Sequence, residues 1–439
     1  MKIILFSIFL FFSPSFTAAN KASSSRLCNW GRNVQYSTLD IYYPLSTSEV
    51  VSIVKNAKGK VRALGTRFSA NPIADSNDTL ISILNMNEIL KIDESVPSVT
   101  VHPGVTYSML SPYLEAKGFA LQNIAVSDVS ISGATQTGAH GSGKTLGSLP
   151  TQIRSLKIVL ANGTVAKFDS SQEEFKGVAL GLGVFGVVTE IELNLLPPFR
   201  IINYVFLNLS LSSLYEHFDE IQNKGYSVQL YTSFKNTVNI SQVWIRSLEH
   251  DDHVGSMQDL FGAQRAQTNV TPIVGGATTY LVDQGVPRPF WSLNPSKWGL
   301  TGYSGNVLSS ELYVPYKNAV PALKALYDIA PEIQQAVYLV LVRTVEEDDL
   351  WMSPFYRNRA VAFDIIFESN SDMWPALSRI ESVLERFNAR FHWGKVFTMK
   401  PSYFHKFYPK LNEFRKLANE LDPEGKFCND FILSNVLTN

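Results

Sequence analysis

The sequence predicts an α+β protein of two domains, and three observations carry that prediction. Segments with period-two alternation, such as Ser98 to His102 and Val187 to Leu193, are interspersed with segments of helical period such as Ser46 to Asn56. Two loops of glycine and hydroxyl residues, one beginning at Gly65 and one around Gly133, follow strand-like stretches in the first half. Pro197-Pro198 then marks a passage into an aromatic-rich region that runs to about Phe397. A length of 439 residues, 45% hydrophobic, is ample for two cores. The net charge of −1 gives no electrostatic reason to expect nucleic acid or an anionic membrane as partner.

In order, Asn29 to Tyr43 reads as an opening strand and turn. Ser46 to Asn56 reads as a helix that Ser46 or Ser48 can cap, with Glu49 in its first turn and an apolar face of Val50, Val51, Ile53 and Val54. Val61 to Leu64 is a short strand that delivers the first small-residue loop, Gly65-Thr66-Arg67-Phe68-Ser69. Thr79 to Leu84 and Ser98 to His102 alternate as strands, and Tyr107 to Gly118 is a helix closed by glycine. Asn162-Gly163, between Ile153 to Leu160 and Val165 to Phe168, is the strongest hairpin signal in the chain. Beyond the proline pair, strands (Gln242 to Ile245, Val337 to Val342, Ala360 to Phe367) mix with helices (Ser210 to Asn223, Asn318 to Asp328, Asp372 to Phe387), and a last helix spans Lys410 to Leu421.

The organising stretch is Gln122 to Lys144. It sets Gly133, Gly138, Gly141 and Gly143 among Ser127, Ser130, Ser132, Thr135, Thr137 and Ser142, with Asp128 and His140 as its strongly ionisable groups. Glycine at this density argues against a core helix and lets backbone N–H groups approach a ligand closely, so the run reads as a cradle for an anion such as a pyrophosphate. A serine-rich surface loop is the plainer alternative.

The N-terminus, with Lys2 before the apolar run Ile3 to Phe12 and small residues at Ala18 and Ala19, reads as a cleavable secretory signal over residues 1–19. A secreted or lumenal protein with no stable membrane span after cleavage is therefore expected. Acceptor triplets begin at Asn77, Asn162, Asn208, Asn239 and Asn269. The two cysteines, Cys28 and Cys428, form either one bridge across the termini, worth about 5 kcal/mol if unstrained, or two separate thiols.

Two catalytic signatures fail on context and a third is absent. Gly181-Leu-Gly-Val-Phe-Gly186 matches GxGxxG, yet a strand rather than a helix follows it, which excludes a nicotinamide site. His250-Asp-Asp-His253 has metal-ligand residue types without third and fourth ligands nearby. No Gly-x-Ser-x-Gly elbow supports a hydrolase.

Val61-Arg-Ala-Leu-Gly-Thr-Arg67 with Asn71 and Ile73-Ala-Asp75, Thr137-Gly-Ala-His-Gly-Ser-Gly143, Arg343-Thr-Val345 with Asp348-Asp-Leu-Trp351, and His392-Trp-Gly-Lys395 carry a resemblance that spans nearly the whole mature chain. Together they resemble the vanillyl-alcohol-oxidase superfamily of flavoproteins, and within it the alditol (xylitol) oxidases, with the sugar-lactone oxidases as near relatives. The resemblance implies an FAD domain from residues 20–198, completed by 401–439, and a substrate cap from 199–400. It places FAD against Gly65, Thr66, Arg67, Phe68 and Ser69 and against Ser127, Asp128, Ser132, Gly133, Thr137, Gly138, His140 and Gly141, with Val187 and Val188 on the adenine side. It also brings the chain ends together, which would suit a Cys28–Cys428 bridge.

Two departures matter. Where family members often carry a histidine that bonds covalently to the flavin, this chain has Phe68, so dissociable FAD is expected. Where alditol oxidases place a glutamate two residues before the active-site arginine, this chain has Leu341, and a histidine–threonine pair on the later strand aligns with Asp364 and Ile366. Asp364 is then the candidate to replace the lost carboxylate.

Oxidation of an alcohol needs the hydroxyl proton removed as hydride leaves, with cations fixed near the developing charge. Arg343 and Lys395 are the candidate cations, Ser127 a candidate hydroxyl partner and Asp364 a candidate base; the plainer role for Arg343 is pairing with Glu346, Glu347 or Asp348. The leading expectation is a secreted FAD-dependent oxidase of a polyol, sugar or sugar lactone, with oxygen as acceptor and hydrogen peroxide as product. A lactone oxidase or dehydrogenase of the ascorbate type and a flavin- or carbohydrate-binding protein without turnover are the alternatives.

Overall fold

The computed structural model describes residues 25–124, 126–271, 282–293, 308–368 and 371–438. The expected leader, residues 1–19, lies outside the described residues. Before the proline pair the chain builds two sheets. β1 (Ile41–Tyr42), β2 (Val61–Leu64) and β3 (Thr79–Ser82) form a parallel sheet in the order β1-β3-β2. The crossover is α1 (Thr47–Asn56), which Ser46 caps by accepting from Glu49 N–H and which buries Val50 and Val54.

The second sheet is antiparallel and runs β4 (Ile89–Asp93), β5 (Ser98–Val101), β8 (Val187–Asn194), β6 (Ile153–Val159), β7 (Val165–Asp169). β6 and β7 are the hairpin read from Asn162-Gly163, and Gly163 takes the left-handed φ of 81° that its turn requires. The strand β8 directly after Gly186 bears out the exclusion of a nicotinamide fingerprint. Three helices attach to these sheets: α2 (Tyr107–Ala116), α3 (Ile131–Gln136) and α4 (Phe175–Val178).

α3 corrects one expectation. The glycine-rich run does hold a short core helix, with Ile131, Ser132, Ala134 and Thr135 buried. Only Gly133 falls inside it. Ser130 caps its start by accepting from Gly133 N–H, and Gly138 ends it at φ 71°, so the remaining glycines act in the turn that follows rather than weakening the helix.

After the proline pair a ten-stranded sheet takes over. It contains β9 (Arg200–Ser210), β10 (Ser227–Thr232), β11 (Asn239–Leu248), β12 (Asp259–Leu260), β13 (Ala263–Arg265), β14 (Arg288–Pro289), β15 (Ser309–Pro315), β16 (Val337–Val345), β17 (Ala360–Phe367) and β18 (Arg390–Phe391). The order is β12-β13-β9-β11-β10-β16-β17-β15-β18, with β14 also on β9. α5 (Leu211–Gln222), α6 (Ala319–Asp328), α7 (Ala330–Ile333) and α8 (Met373–Glu385) bury apolar stripes in the cap core. β17 lies between β16 and β15 and is buried at every position, so its single charged residue, Asp364, is out of water.

The tail, with α9 (Pro401–Phe407), α10 (Leu411–Leu421) and α11 (Asp430–Ile432), returns to the first sheet. Val61 N–H donates to Lys426 O at 2.8 Å, and Asn429 donates to the carbonyls of Pro72, Ile73 and Asp75. The strongest tie is Arg62, 3% exposed, whose guanidinium donates to the carbonyls of Phe427, Gly183, Leu182 and Ile73. The cysteines do not bridge: Cys28 is half-buried, Cys428 is buried, and both are free thiols. Main-chain hydrogen bonds and Arg62 hold the chain ends in place without a covalent link.

Replacing Arg62 by Leu should lower stability by about 3 kcal/mol or more, because four buried carbonyls lose a charged donor. Urea unfolding of the purified variant reads this directly. A loss below about 1 kcal/mol would show that the tail is held without Arg62, by its main-chain, Asn429 and apolar contacts.

Candidate active site

The two small-residue loops meet. Thr66 Oγ1 accepts from Ser130 N–H at 3.1 Å, and a Cβ on Gly65 would stand 2.6 Å from Ser130 Oγ and 3.8 Å from Gly133 Cα. Glycine at 65 therefore lets strand β2 end against the cap of α3. Arg67 turns the chain at a left-handed φ of 67°, its carbonyl accepts from Trp30 N–H, and its guanidinium donates to Cys28 O. Phe68 then stacks on Trp30, ring centroids 5.5 Å apart and planes 12° from parallel.

Both loops open on one cavity of about 240 Å³. Of the residues singled out in the sequence, it brings together Gly65, Thr66, Arg67, Phe68, Ser69, Ser132, Gly133, Thr137, His140, Val188, Arg343, Asp364 and Lys395. Five others do not reach its wall. Val187 points into the core, fully buried with Val50, Val54 and Val61, since strand alternation sends it to the face opposite Val188. Gly138 serves as the turn after α3, and Gly141 packs so closely on Asn123 that a Cβ there would overlap its amide. Asp128 is exposed to solvent. Ser127 is buried, its hydroxyl 3.4 Å from Asp128 Oδ1, and the neighbouring Val126 and Val129 line the cavity instead.

The far end of the cavity is ionic, and the sheet register explains why. Leu341 on β16 and Glu311 on β15 both lie directly opposite Asp364 on β17, while Arg343 and Tyr313 both lie opposite Ala362. Cross-strand partners share a face, so Glu311, Asp364, Arg343 and Tyr313 project to the same side. The Arg343 guanidinium donates to Glu311 and, at 2.9 Å, to Asp364 Oδ2. It does not pair with Glu346, Glu347 or Asp348: Glu346 takes Arg359, and Asp348 accepts from Ser148 and Ser353. The reason is that Arg343 points to the face of Asp364, and the acidic run begins only after β16 has ended.

Glu311 is the site residue that the sequence reading missed. It is 2% exposed, and it also lies 2.9 Å from His140 Nε2, which is itself 3.1 Å from the Tyr313 hydroxyl. The loss of a carboxylate expected from Leu341 is thus offset by two carboxylates on adjacent strands. Nothing marks Glu311 within Ser309-Ser-Glu-Leu-Tyr-Val-Pro315 except a charge at mid-strand.

Burial sets the electrostatics. Although desolvation pushes Glu311 up, Arg343 and His140 outweigh it and hold this carboxyl well below the usual range. Asp364 moves the other way: burial and the negative Glu311 raise it, against the pull of Lys395, Arg343 and His140. His392 is driven down to about 3 by burial, so it is neutral, and its Nδ1 accepts from Gly394 N–H. The Lys395 ammonium donates to Ser309 Oγ at 2.6 Å and stands 3.7 Å from Asp364 Oδ1. Asn71 fixes this loop by donating to the carbonyls of Trp393 and Lys395.

These residues fit a flavin dinucleotide. One end of the cavity offers a glycine and hydroxyl cradle, in which a Cβ at Gly65 or Gly133 would crowd Ser130 Oγ at 2.6 and 2.9 Å. At the other, Asp364 Oδ1 and Arg343 Nε are buried without a hydrogen-bond partner among the described residues, as expected where a further polar group is to be received.

Comparison with known proteins points the same way. Residues 40–169 match an FAD binding domain family and residues 306–435 a D-arabinono-1,4-lactone oxidase family. The chain is 31% identical to an alditol oxidase from Streptomyces sp. (strain IKD472 / FERM P-14339), over 93% of this chain and 98% of that one. It is 27% identical to the L-gulonolactone oxidase of Mus musculus, over 92% and 96%. The solved carbohydrate oxidase from Microdochium nivale superimposes with a TM-score of 0.72 at 16% identity, over 93% of each chain, and so shares the fold. The sheet that carries the ionic cluster, the loops that carry the cradle and these relationships agree: the chain belongs to the vanillyl-alcohol-oxidase superfamily of FAD-dependent oxidases, in the branch of the alditol and sugar-lactone oxidases.

Proposed function

We propose that the protein oxidises the CH–OH group of a polyol, sugar or sugar lactone to the carbonyl, with oxygen as terminal acceptor and hydrogen peroxide as product. The observation that carries this is the placement of Arg343, Asp364 and Lys395 on the same cavity wall as the two small-residue loops. Bound FAD would supply the hydride acceptor, held by Gly65 to Ser69, Ser132, Gly133 and Thr137. Everything else falls to the chain itself. Asp364 Oδ1, buried and without a hydrogen-bond partner among the described residues, accepts the hydrogen bond and then the proton of the reacting hydroxyl. Lys395 and Arg343 face the oxygen as negative charge grows on it and stabilise that state without reorganising, because Ser309, Glu311 and Asn71 already fix them or their loop.

We also infer non-covalent FAD, because Phe68 carries no group able to form the bond and no cysteine lies in either loop. Secretion is part of the same reading. It is supported by the leader-like residues 1–19 and by the exposed positions of Asn77, Asn162, Asn208 and Asn269.

Anaerobic mixing of the yellow protein with a panel of alditols and aldonolactones should bleach the flavin with at least one of them, and re-aeration should release peroxide. Persistent colour with every compound would end the proposal, and bleaching without peroxide would replace the oxidase by a dehydrogenase. In the same assay Lys395→Met should slow flavin reduction about 100-fold or more; an unchanged rate would remove Lys395 from the chemistry. Acid precipitation should leave the colour in the supernatant, and a yellow pellet would refute the assignment of Phe68.

A further inference from the structure

Glu311 is the most deeply buried carboxylate of the cavity, and the reaction described above gives it no contact with substrate. Its partners define another task. One guanidinium nitrogen, Nη2 of Arg343, donates both to Glu311 Oε1 and to Asp364 Oδ2. Two carboxylates that share one donor cannot ionise independently, because the charge of each raises the cost of charging the other. On its far side Glu311 meets His140, whose Nδ1 is 2.7 Å from Gly141 O. The histidine is thereby fixed by its own loop, and Glu311 cannot swing away from Arg343.

We propose that Glu311 is a positioning residue of the reaction: it anchors Arg343 from beneath, and as the second negative charge on that guanidinium it sets the pH at which Asp364 becomes available to take the proton. This rests on the reading of Asp364 as proton acceptor. The groups that face Asp364 come from every neighbouring element. They are Glu311 and Tyr313 on β15, Arg343 on β16, Tyr231 on β10, Lys395 in the loop after β18, and His140 after α3. Of these, Glu311 is the acidic neighbour that raises Asp364 while the cations lower it, and the raised carboxyl agrees with the geometry.

The sign follows. Asp364 acts as its carboxylate, so the rate of flavin reduction rises with pH through an acidic limb. Removing the Glu311 charge makes ionisation of Asp364 easier, so in Glu311→Gln this limb should move to lower pH, by about one unit or more. Two readouts on the FAD-loaded protein test it: rapid-mixing flavin reduction across pH, and an infrared titration of the carboxyl groups without substrate. The carboxyl signal that disappears in Asp364→Asn should titrate at lower pH in Glu311→Gln. Glu311→Asp, which keeps the charge one methylene further from Asp364, should shift the limb the same way by less. It also decides the matter if the glutamine variant fails to fold. A limb and a carboxyl titration that stay at their wild-type pH in a folded variant overturn the proposal. If instead Asp364→Asn retains both the wild-type rate and the limb, the assignment of the base has failed, whatever Glu311 does.

Discussion

Two carboxylates and one guanidinium are held out of water on three adjacent strands, and that desolvation constrains the rest of the molecule. None of Glu311, Asp364 and Arg343 is tolerable alone at this depth: an uncompensated buried charge costs several kcal/mol, and only close partners offset it. The register of β15, β16 and β17 must therefore be held to the residue, because a slip of one position would turn each of these side chains to the opposite face. The extent of the ten-stranded sheet and its covering of α6, α7 and α8 serve that requirement. A sheet buried on both faces cannot slide without exposing an apolar row to water or burying a charge beside it.

The sequence made the frame legible and left the cluster half hidden. Where one principle dominates, the reading held. Asn162-Gly163 fixed a hairpin, Ser46 began a helix, and the alternation after Gly186 ruled out a nicotinamide fingerprint. Glycine density misled within Gln122 to Lys144, because a strong cap at Ser130 and a fully buried face outweigh one unfavourable glycine in a six-residue helix. Val187 and Val188 show the limit of contact assignment by adjacency: strand alternation sends neighbours to opposite faces, so only one of them can line the cavity.

Glu311 was invisible for a different reason. Its partners lie in other elements, at His140 and Arg343, and no local pattern separates a mid-strand glutamate at the surface from one at the bottom of a cavity. Leu341 alone suggested a missing carboxylate. The structure shows that a site can keep its charge by moving it to the next strand, since side chains directly opposite across a ladder stand about 5 Å apart and serve nearly the same space. A substitution read along one strand therefore has to be weighed against the whole row that crosses the sheet.

The composition of that row also bears on how a barrier could be lowered. Among Glu311, Asp364, Arg343 and Lys395 the formal charges sum to zero. If Asp364 takes the hydroxyl proton, as proposed above, its negative charge is lost, while Arg343 and Lys395 keep theirs. On that reading the balance would become positive as negative charge develops on the substrate oxygen. Interactions that strengthen only along the reaction accelerate it, whereas those already present with bound substrate do not. Glu311, held well below the usual carboxyl range by Arg343 and His140, favours its ionised form, so on the same reading the change of charge would fall on Asp364.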